Sequence, residues 1–280
     1  MRKHNLSTHL ISKSNDNDNS CRTDCTFENH RVSLPSTESI QHEFTSCKWI
    51  SCTGPNGGGI YLNASSTASL TVTKCEFDSC TASPDSGCGM YAEGIQTVAV
   101  QDSIFHQCIA EAGTNFGGGG IELCNIQHPF TIESTAFISC ESRNDAGGIS
   151  AVHCPMWTKT CFLDCSFIGC SATPAADNDA GSLLVWRCYA EISCSNILFA
   201  DSRSERRGGC SSYYIYPNIS HDSTVYLFLF CFFKNGSSKD NTGNDAYFYD
   251  WKPTEPFFHC FSIITPSPRI YPSGHDNWLP

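Results

Sequence analysis

Pairs of cysteines five residues apart are the residues of this chain most suited to chemistry, and the stretch CEFDSC, Cys75 to Cys80, is one of them. Such a pair can be a redox couple, half of a metal site or part of a disulfide framework. The chain has 19 cysteines in 280 residues, and an odd number leaves at least one thiol unpaired within the chain. Histidines that could complete a zinc site stand at His106, His153 and His259.

The spacing of these residues argues against a metal or redox site. Neither a C-x-x-C pair nor an H-x3-H pair occurs, and the three histidines stand at different distances from the cysteine pairs. Redox couples and structural zinc sites depend on such close pairs. The sequence therefore predicts no catalytic residue, no metal site and no cofactor.

A repeat of about 30 residues accounts for the cysteine pairs. In each repeat an aromatic residue is followed three positions later by a small one, and the aromatic residues recur at intervals of 28 to 34 residues. An alternating strand such as LTVT (70–73) precedes the aromatic, and a glycine-rich turn such as GGGI (57–60) follows it. The aromatic residues are Trp49, Phe77, Phe105, Phe137, Phe167, Phe199 and Phe233, and the small residues that follow the first five are Cys52, Cys80, Cys108, Cys140 and Cys170.

The order of apolar positions within one repeat predicts where the chain bends. Leu70 and Val72 share one face of a strand, whereas Cys75 and Phe77 can join that face only if the chain bends near Lys74. A second bend must lie between Phe77 and Cys80, and glycine-rich turns supply a third. Three short strands and three bends per repeat describe one coil of a single-stranded parallel β-helix. The predicted fold class is an all-β solenoid of about seven coils.

In-register coils would stack the five turn cysteines in a ladder with a rise of about 4.8 Å per coil. A disulfide needs Cβ atoms within about 4.5 Å, so neighbouring cysteines of the ladder are expected to remain thiols. A partial second ladder has Ser, Thr and Ile in place of cysteine at other coils, as a packing position tolerates. Its members are Cys47, Cys75, Ser103, Thr135, Cys165, Ile197 and Cys231.

Composition and charge divide the chain and exclude several partners. Residues 1–20 are expected to form a disordered polar segment, 21–265 the β-helix domain and 266–280 a Pro-rich C-terminal tail or cap. The net charge of -11 disfavours nucleic acid, because phosphate binding needs a basic surface. The longest apolar run, 224–233, is about half the length of a membrane span, and no secretory signal is evident in residues 1–20.

The alternation of two turns resembles a known group of repeats. A GGA-I-like turn followed by an F-x-x-N-like turn is similar to the repeats of polymorphic outer membrane proteins and of related right-handed β-helix proteins, within the pectate-lyase-like superfamily. The resemblance implies a right-handed coil and an extracellular or cell-surface location. Cysteine mostly replaces the group's Asn here. The matching glycine turns are Gly58, Gly59 and Ile60, Gly119, Gly120 and Ile121, and Gly147, Gly148 and Ile149.

Two functional hypotheses follow from the fold and the resemblance. One is a non-catalytic interaction or adhesion module, or a fragment of one, that binds a glycan or protein through a sheet face or loops. Its expected contact loops are 111–117, 141–146, 171–180 and 203–207. Glycosylation sequons at Asn63, Asn218 and Asn235 would fit an extracellular location.

The alternative is a polysaccharide lyase or glycoside hydrolase, which the superfamily includes. Enzymes of this superfamily characteristically carry calcium-binding carboxylates, or clustered aspartates with Gly-His-Gly and Arg-x-Lys motifs. The repeats lack those motifs, and Asp102 and Asp164 would lie two coils and about 10 Å apart. The sequence thus favours the non-catalytic module and leaves its ligand and its oligomeric state open.

Overall fold

The computed structural model is an all-β parallel solenoid, so the predicted fold class is confirmed, and the described residues contain no helix. Four parallel sheets run along the solenoid, and they are named first to fourth in the order in which a coil visits them. The structure describes residues 21–34, 40–64, 67–83, 87–111, 117–154, 160–173, 180–188, 192–205, 208–214, 226–229, 231–238, 246–249 and 270–272.

The first and second sheets have eight strands each. The strands of the first sheet are Cys21–Thr23, Gln41–Thr45, Ser69–Thr73, Thr97–Gln101, Phe130–Glu133, Thr160–Leu163, Ile192–Ser195 and Tyr226–Leu229. Those of the second sheet are Thr26–Glu28, Lys48–Ile50, Glu76–Asp78, Ile104–His106, Ala136–Ile138, Ser166–Ile168, Leu198–Ala200 and Phe232–Lys234.

The third sheet has seven strands of two residues each, and the fourth has nine strands. The third comprises Thr53–Gly54, Thr81–Ala82, Ile109–Ala110, Glu141–Ser142, Ser171–Ala172, Arg203–Ser204 and Ser237–Ser238. The fourth comprises Val32–Ser33, Ile60–Asn63, Met90–Glu93, Ile121–Cys124, Ile149–Val152, Leu183–Trp186, Ser211–Tyr214, Ala246–Tyr249 and Ile270–Pro272.

The number of strands and of coils differs from the sequence-based expectation. Each full coil has four strands rather than three, because a two-residue strand follows each position of the cysteine ladder. Seven successive coils, from Gln41 to Tyr249, contribute one strand to each of the four sheets, and about five turns of these, from Gln41 to Trp186, are described with every strand side chain, against the seven coils expected. Less completely described coils extend the sheets at both ends. Residues 1–20 and most of 266–280 lie outside the described residues, so the domain boundaries stay predictions.

Two sharp bends per coil lie where the order of apolar positions predicts them. Lys74 has a φ of 56° between the first and second sheets, and Ser79 has a φ of 54° between the second and third. A single left-handed residue turns the chain without a loop, which lets the side chains on both sides of it face inward. Equivalent non-glycine residues, mostly Asp, Asn and Ser, recur with φ between 48° and 58° in the other coils, and Gly169 takes the same place with a φ of 64°.

The interior is filled by rows of identical or similar side chains. Trp49 stacks on Phe77 with ring centroids 4.4 Å apart, and the parallel stack continues from Phe77 to Phe233 with spacings of 4.4 to 5.0 Å. Phe27 extends this stack by one coil towards the N-terminus. The glycine turn is coupled to the stack, since a Cβ on Gly120 would lie 2.6 Å from the Phe137 ring. Glycine is therefore needed where the fourth sheet begins.

Coil length varies on only one side of the solenoid. In seven successive coils the last residue of the first-sheet strand and the last residue of the third-sheet strand are nine positions apart, as Thr73 and Ala82 are. The connection from the third sheet to the fourth has five to ten residues, and that from the fourth sheet to the next first-sheet strand has three to eleven. All insertions therefore flank the fourth sheet.

Candidate functional site

The five turn cysteines, Cys52, Cys80, Cys108, Cys140 and Cys170, lie fully buried just after the second bend of their coils. Each thiol donates to the carbonyl oxygen of the stacked aromatic residue one coil earlier, at Sγ–O distances of 3.3 to 3.8 Å. The geometry gives these cysteines a packing and hydrogen-bonding role.

The chemistry open to the cysteines is limited by burial. None of the described cysteines is in a disulfide. Burial raises the pKa of Cys108 and of Cys170 well above the usual range of a thiol, so both stay protonated at neutral pH. By contrast, the neighbouring Cys108 and Cys52 thiols lower the pKa of Cys80 to about 5. No group of three or more His, Cys, Asp or Glu side chains that could hold a metal ion occurs in the described part of the chain.

The histidines considered as zinc ligands lie apart from the cysteine ladder. His106 is on the outer face of the second sheet, where its Nδ1 is 2.7 Å from Asp78 Oδ1. His153 lies just after a fourth-sheet strand, and His259 is outside the described residues. Among the described residues, neither His106 nor His153 belongs to a group of three or more side chains that could hold a metal ion.

The outer face of the fourth sheet carries the most varied polar cluster, which is called the tyrosine cluster and consists of Arg31, Tyr61, Asn63, Tyr91 and Glu93. The Arg31 guanidinium lies 4.8 Å above the Tyr61 ring, and the Tyr61 and Tyr91 rings stack 5.6 Å apart. Glu93 Oε2 accepts hydrogen bonds from Asn63 Nδ2 at 2.7 Å and from the Tyr91 hydroxyl at 2.8 Å. The fold thus gathers an arginine, two phenols, an amide and a carboxylate on adjacent coils.

The tyrosine cluster is partly open to solvent. Asn63 is exposed, and the other four side chains are half-buried. Burial, together with the neighbouring Glu93 carboxylate, raises the pKa of the Tyr91 hydroxyl, so it remains a hydrogen-bond donor across the physiological pH range. The cluster lies between the two corners where coil length varies, and its own coils include the shortest connections there, of five residues at 55–59 and three at 94–96.

The same sheet face is covered towards the C-terminus. Outward positions that continue the Tyr61 and Tyr91 row are buried there, at Glu122, Ser150 and Leu184. Ala146 and Ala180, from the connections between the third and fourth sheets, form a second apolar cluster with Leu184. Described residues of these connections therefore cover the fourth-sheet face in these coils, whereas the face is open at the tyrosine cluster.

Glu122 is a buried carboxyl beneath this cover. Its side chain is 2% exposed, and Oε2 has no hydrogen-bond partner among the described residues. Burial first, and the nearby Asp145 charge second, raise the pKa of Glu122 well above that of an ordinary glutamate. The backbone N–H of Gly118 and the Ser150 hydroxyl oppose this shift only in part.

The predicted contact loops and sequons are placed as follows. The intervals 141–146, 171–180 and 203–207 begin with third-sheet strands, so only their later residues belong to corners, and much of 111–117 is not described. Asn63 joins the tyrosine cluster, and Asn235 occupies a second bend where its Nδ2 donates to Asp201 Oδ1 at 2.8 Å. Asn218 lies outside the described residues. Glycosylation of all three stays a prediction.

Comparison with known proteins adds no further identification. No family model, no curated protein and no solved structure matches this chain. Among the described residues, no helix has both the length and the apolar character that crossing a bilayer requires. The candidate site therefore rests on geometry alone.

Sequence reasoning missed the tyrosine cluster. Tyr61 and Tyr91 are 30 residues apart, which is the repeat length, but the row is interrupted in the next four coils and has tyrosine again at Tyr247 and Tyr271. The available signal was positional: both tyrosines directly follow the first apolar residue after a glycine turn. An alignment of coils at that residue would have placed them side by side.

Proposed function

We propose that this chain is a non-catalytic β-helix interaction module of a surface or extracellular protein, and that it binds its ligand on the fourth-sheet side. The observation that carries this proposal is the confinement of all insertions to the two corners that flank the fourth sheet. In repeat proteins, insertions gather on the face that contacts a ligand, because the opposite face must keep the stacking in register.

A hydroxyl-rich glycan is the ligand class that the tyrosine cluster fits best. Sugar hydroxyls donate and accept hydrogen bonds, and the cluster offers both functions within two neighbouring strands of the sheet. Glu93 would accept from sugar hydroxyls and Arg31 would donate to them, and such charge-assisted bonds are the stronger kind. The resemblance to right-handed β-helix repeats of surface proteins supports the same reading.

Glycan-array screening, followed by calorimetry on the glycans retained, tests the proposal. Replacement of Glu93 by Gln preserves the shape of the side chain and removes its charge, so binding should weaken about tenfold. The matched control is Glu76→Gln, which makes the same change on the outer face of the second sheet and should leave binding unchanged. Equal loss in both variants, or retention of no glycan at all, would contradict the assignment.

A single assay distinguishes the enzyme alternative from this proposal. Incubation with polygalacturonate and other uronic-acid polymers, with and without calcium, should release neither unsaturated nor reducing ends. Release that depends on Glu93 would show a catalytic rather than a purely binding site at the tyrosine cluster. Release that is unaffected by Glu93→Gln would place an active site elsewhere, and either result would refute a non-catalytic module.

A further inference from the structure

The outer face of the second sheet, called here the second-sheet face, is unusually apolar for a solvent-facing surface. It consists of the outward side chains at the first and third positions of each second-sheet strand. Among the described residues, the exposed large hydrophobic side chains are Ile104, Ile168, Leu198 and Phe232, and all four lie on this face with 36% to 44% of their surface exposed. Scattered exposed apolar residues are ordinary, whereas an aligned group marks an interaction surface.

Charged side chains lie at the two ends of this face and leave its middle apolar. Near the N-terminal end, Lys48 pairs with Glu76, and His106 pairs with Asp78. At the C-terminal end, exposed Lys234 follows Phe232 in the last strand of the sheet. The strands Ala136–Ile138, Ser166–Ile168 and Leu198–Ala200, which lie between, present no charged side chain.

The face is flat and free of insertions. Both edges are single left-handed residues, mostly polar, so no loop rises above the sheet. Eight strands give a length of about 34 Å, and a strand with its two bends gives a width of about 16 Å. The resulting area of about 550 Å² is below the roughly 800 Å² per partner of a stable complex. An apolar centre with a polar rim is the usual anatomy of an interface.

We propose that two copies of this chain pair reversibly through the second-sheet face, with their solenoid axes antiparallel. The two-fold axis lies between Ala136–Ile138 and Ser166–Ile168, within the apolar region. Six of the eight strands, from Glu76–Asp78 to Phe232–Lys234, then face a strand of the second copy at an equal distance from the axis, as an isologous interface requires. The six facing strands span about 24 Å, which with the width of about 16 Å gives about 380 Å² per copy and makes the pairing weak and dependent on concentration.

Charge complementarity selects the antiparallel arrangement. About this axis, Ile138 faces Ile168 of the second copy, Ile104 faces Leu198, and Asp78 faces Lys234 with the opposite charge. A parallel two-fold pairing would instead place Glu76 opposite Asp78 of the second copy, and like charges in contact suppress association. The antiparallel arrangement thus places opposite charges together, whereas the parallel arrangement places like charges together.

The bend residues along the two edges of the face, called its rim, are also compatible with this two-fold axis. The first-bend residue Asp102 falls opposite Asn196 of the second copy, and the second-bend residue Gln107 falls opposite Asp201. Each pair combines a carboxylate with an amide, which can donate a hydrogen bond to it. No pair of like charges meets along the described part of this rim.

Sedimentation velocity over a concentration series of the intact chain tests the pairing. The wild-type protein should shift from monomer towards dimer as concentration rises to about 0.5 mM, as a weak interface requires. Ile168→Asp should weaken dimerisation about tenfold or more, because each dimer contains the substitution twice near its axis. The control Thr131→Asp makes the same charge change on the outer face of the first sheet and should leave the dimer intact.

A charge exchange tests the orientation. Asp78→Lys and Lys234→Asp should each weaken the dimer, and the double variant should regain the wild-type dissociation constant because the opposite charges face each other again. A monomer at every concentration would leave the face to a different partner and overturn the proposal. A double variant that pairs no better than the single variants would overturn it as well.

Discussion

Each coil of this solenoid has a constant half and a variable half, and the two obey different constraints. The constant half runs from the end of the first-sheet strand to the end of the third, over nine positions in seven coils. It holds the aromatic stack and the cysteine ladder. The variable half contains the fourth sheet and its two corners, where connections differ by up to eight residues. The first half keeps the coils in register, and the second can change without disturbing it.

The physical reason for this difference is stacking. In the constant half, each inward side chain touches its equivalents one coil above and below, so an error in one coil propagates to its neighbours. A corner loop contacts mostly solvent and its own residues, and closing a longer loop costs little free energy. The same change, made once in each half, should therefore destabilise the protein more in the constant half than in the variable half.

A one-residue insertion should give the largest difference in stability loss between the two halves. A glycine inserted after Ser134 shifts the following strand by one position, so Phe137 turns out of the core and the coil should not fold cooperatively. The same insertion after Ser83, in a corner, should cost about 0.5 kcal/mol or less. Urea unfolding followed by circular dichroism measures both. Equal destabilisation would show that the corners also control register.

A buried charge should have the next largest effect. Phe137→Asp places a carboxylate inside the aromatic stack and should destabilise the protein by about 4 kcal/mol or more. Ile138→Asp, one position along the strand, puts the same group on the outer face and should cost about 1 kcal/mol or less. Thermal unfolding at low protein concentration distinguishes the two, and similar costs would mean that the strand's two faces are not distinct.

Removal of a ladder thiol should have a moderate effect. Cys108→Ala deletes a buried side chain and leaves the Phe77 carbonyl oxygen without its thiol donor, so we expect a loss of about 1–2 kcal/mol. Cys161→Ala is the control on the outer face of the first sheet, where about 0.5 kcal/mol or less is expected. If both changes cost the same, the ladder cysteines contribute no more than surface residues.

The constant half could be predicted from the sequence because the same packing requirements recur in every coil. The bends at Lys74 and Ser79 follow from the order of apolar positions, since a strand shows alternate faces and only a turn can restore Phe77 and Cys80 to the interior. Each further coil provided the same evidence. The two-residue third strand was missed because two residues are too short to show alternation.

The variable half could not be predicted in the same way. The burial of Glu122 depends on covering residues such as Ala146 and on the stacking of its own strand, which no local pattern indicates. The tyrosine cluster depends on how two tyrosines stack across coils and where the insertions around them fall. Sites built from non-repeating residues have no periodic signal, so the part of the coil with the richest chemistry was the least predictable.

The smallest expected effect concerns Glu122, whose contribution to the free energy of unfolding depends on pH. Because its pKa is raised in the folded protein, Glu122 keeps its proton at a pH where the unfolded chain has already released it. It therefore costs no stability at low pH, where both states are protonated. As the pH rises above the ordinary range of a glutamate, the unfolded state becomes progressively favoured.

Glu122→Gln removes this dependence while keeping the size of the side chain. The variant should be more stable than the wild type by about 1–2 kcal/mol at about pH 8 and nearly equal to it at about pH 4, as measured by urea unfolding. Glu76→Gln, on the exposed second-sheet face, should show no such rise with pH. A variable-half residue would then reduce stability at neutral pH. A Glu122→Gln variant that is less stable at about pH 8 would instead show that the buried carboxylate is held by favourable contacts.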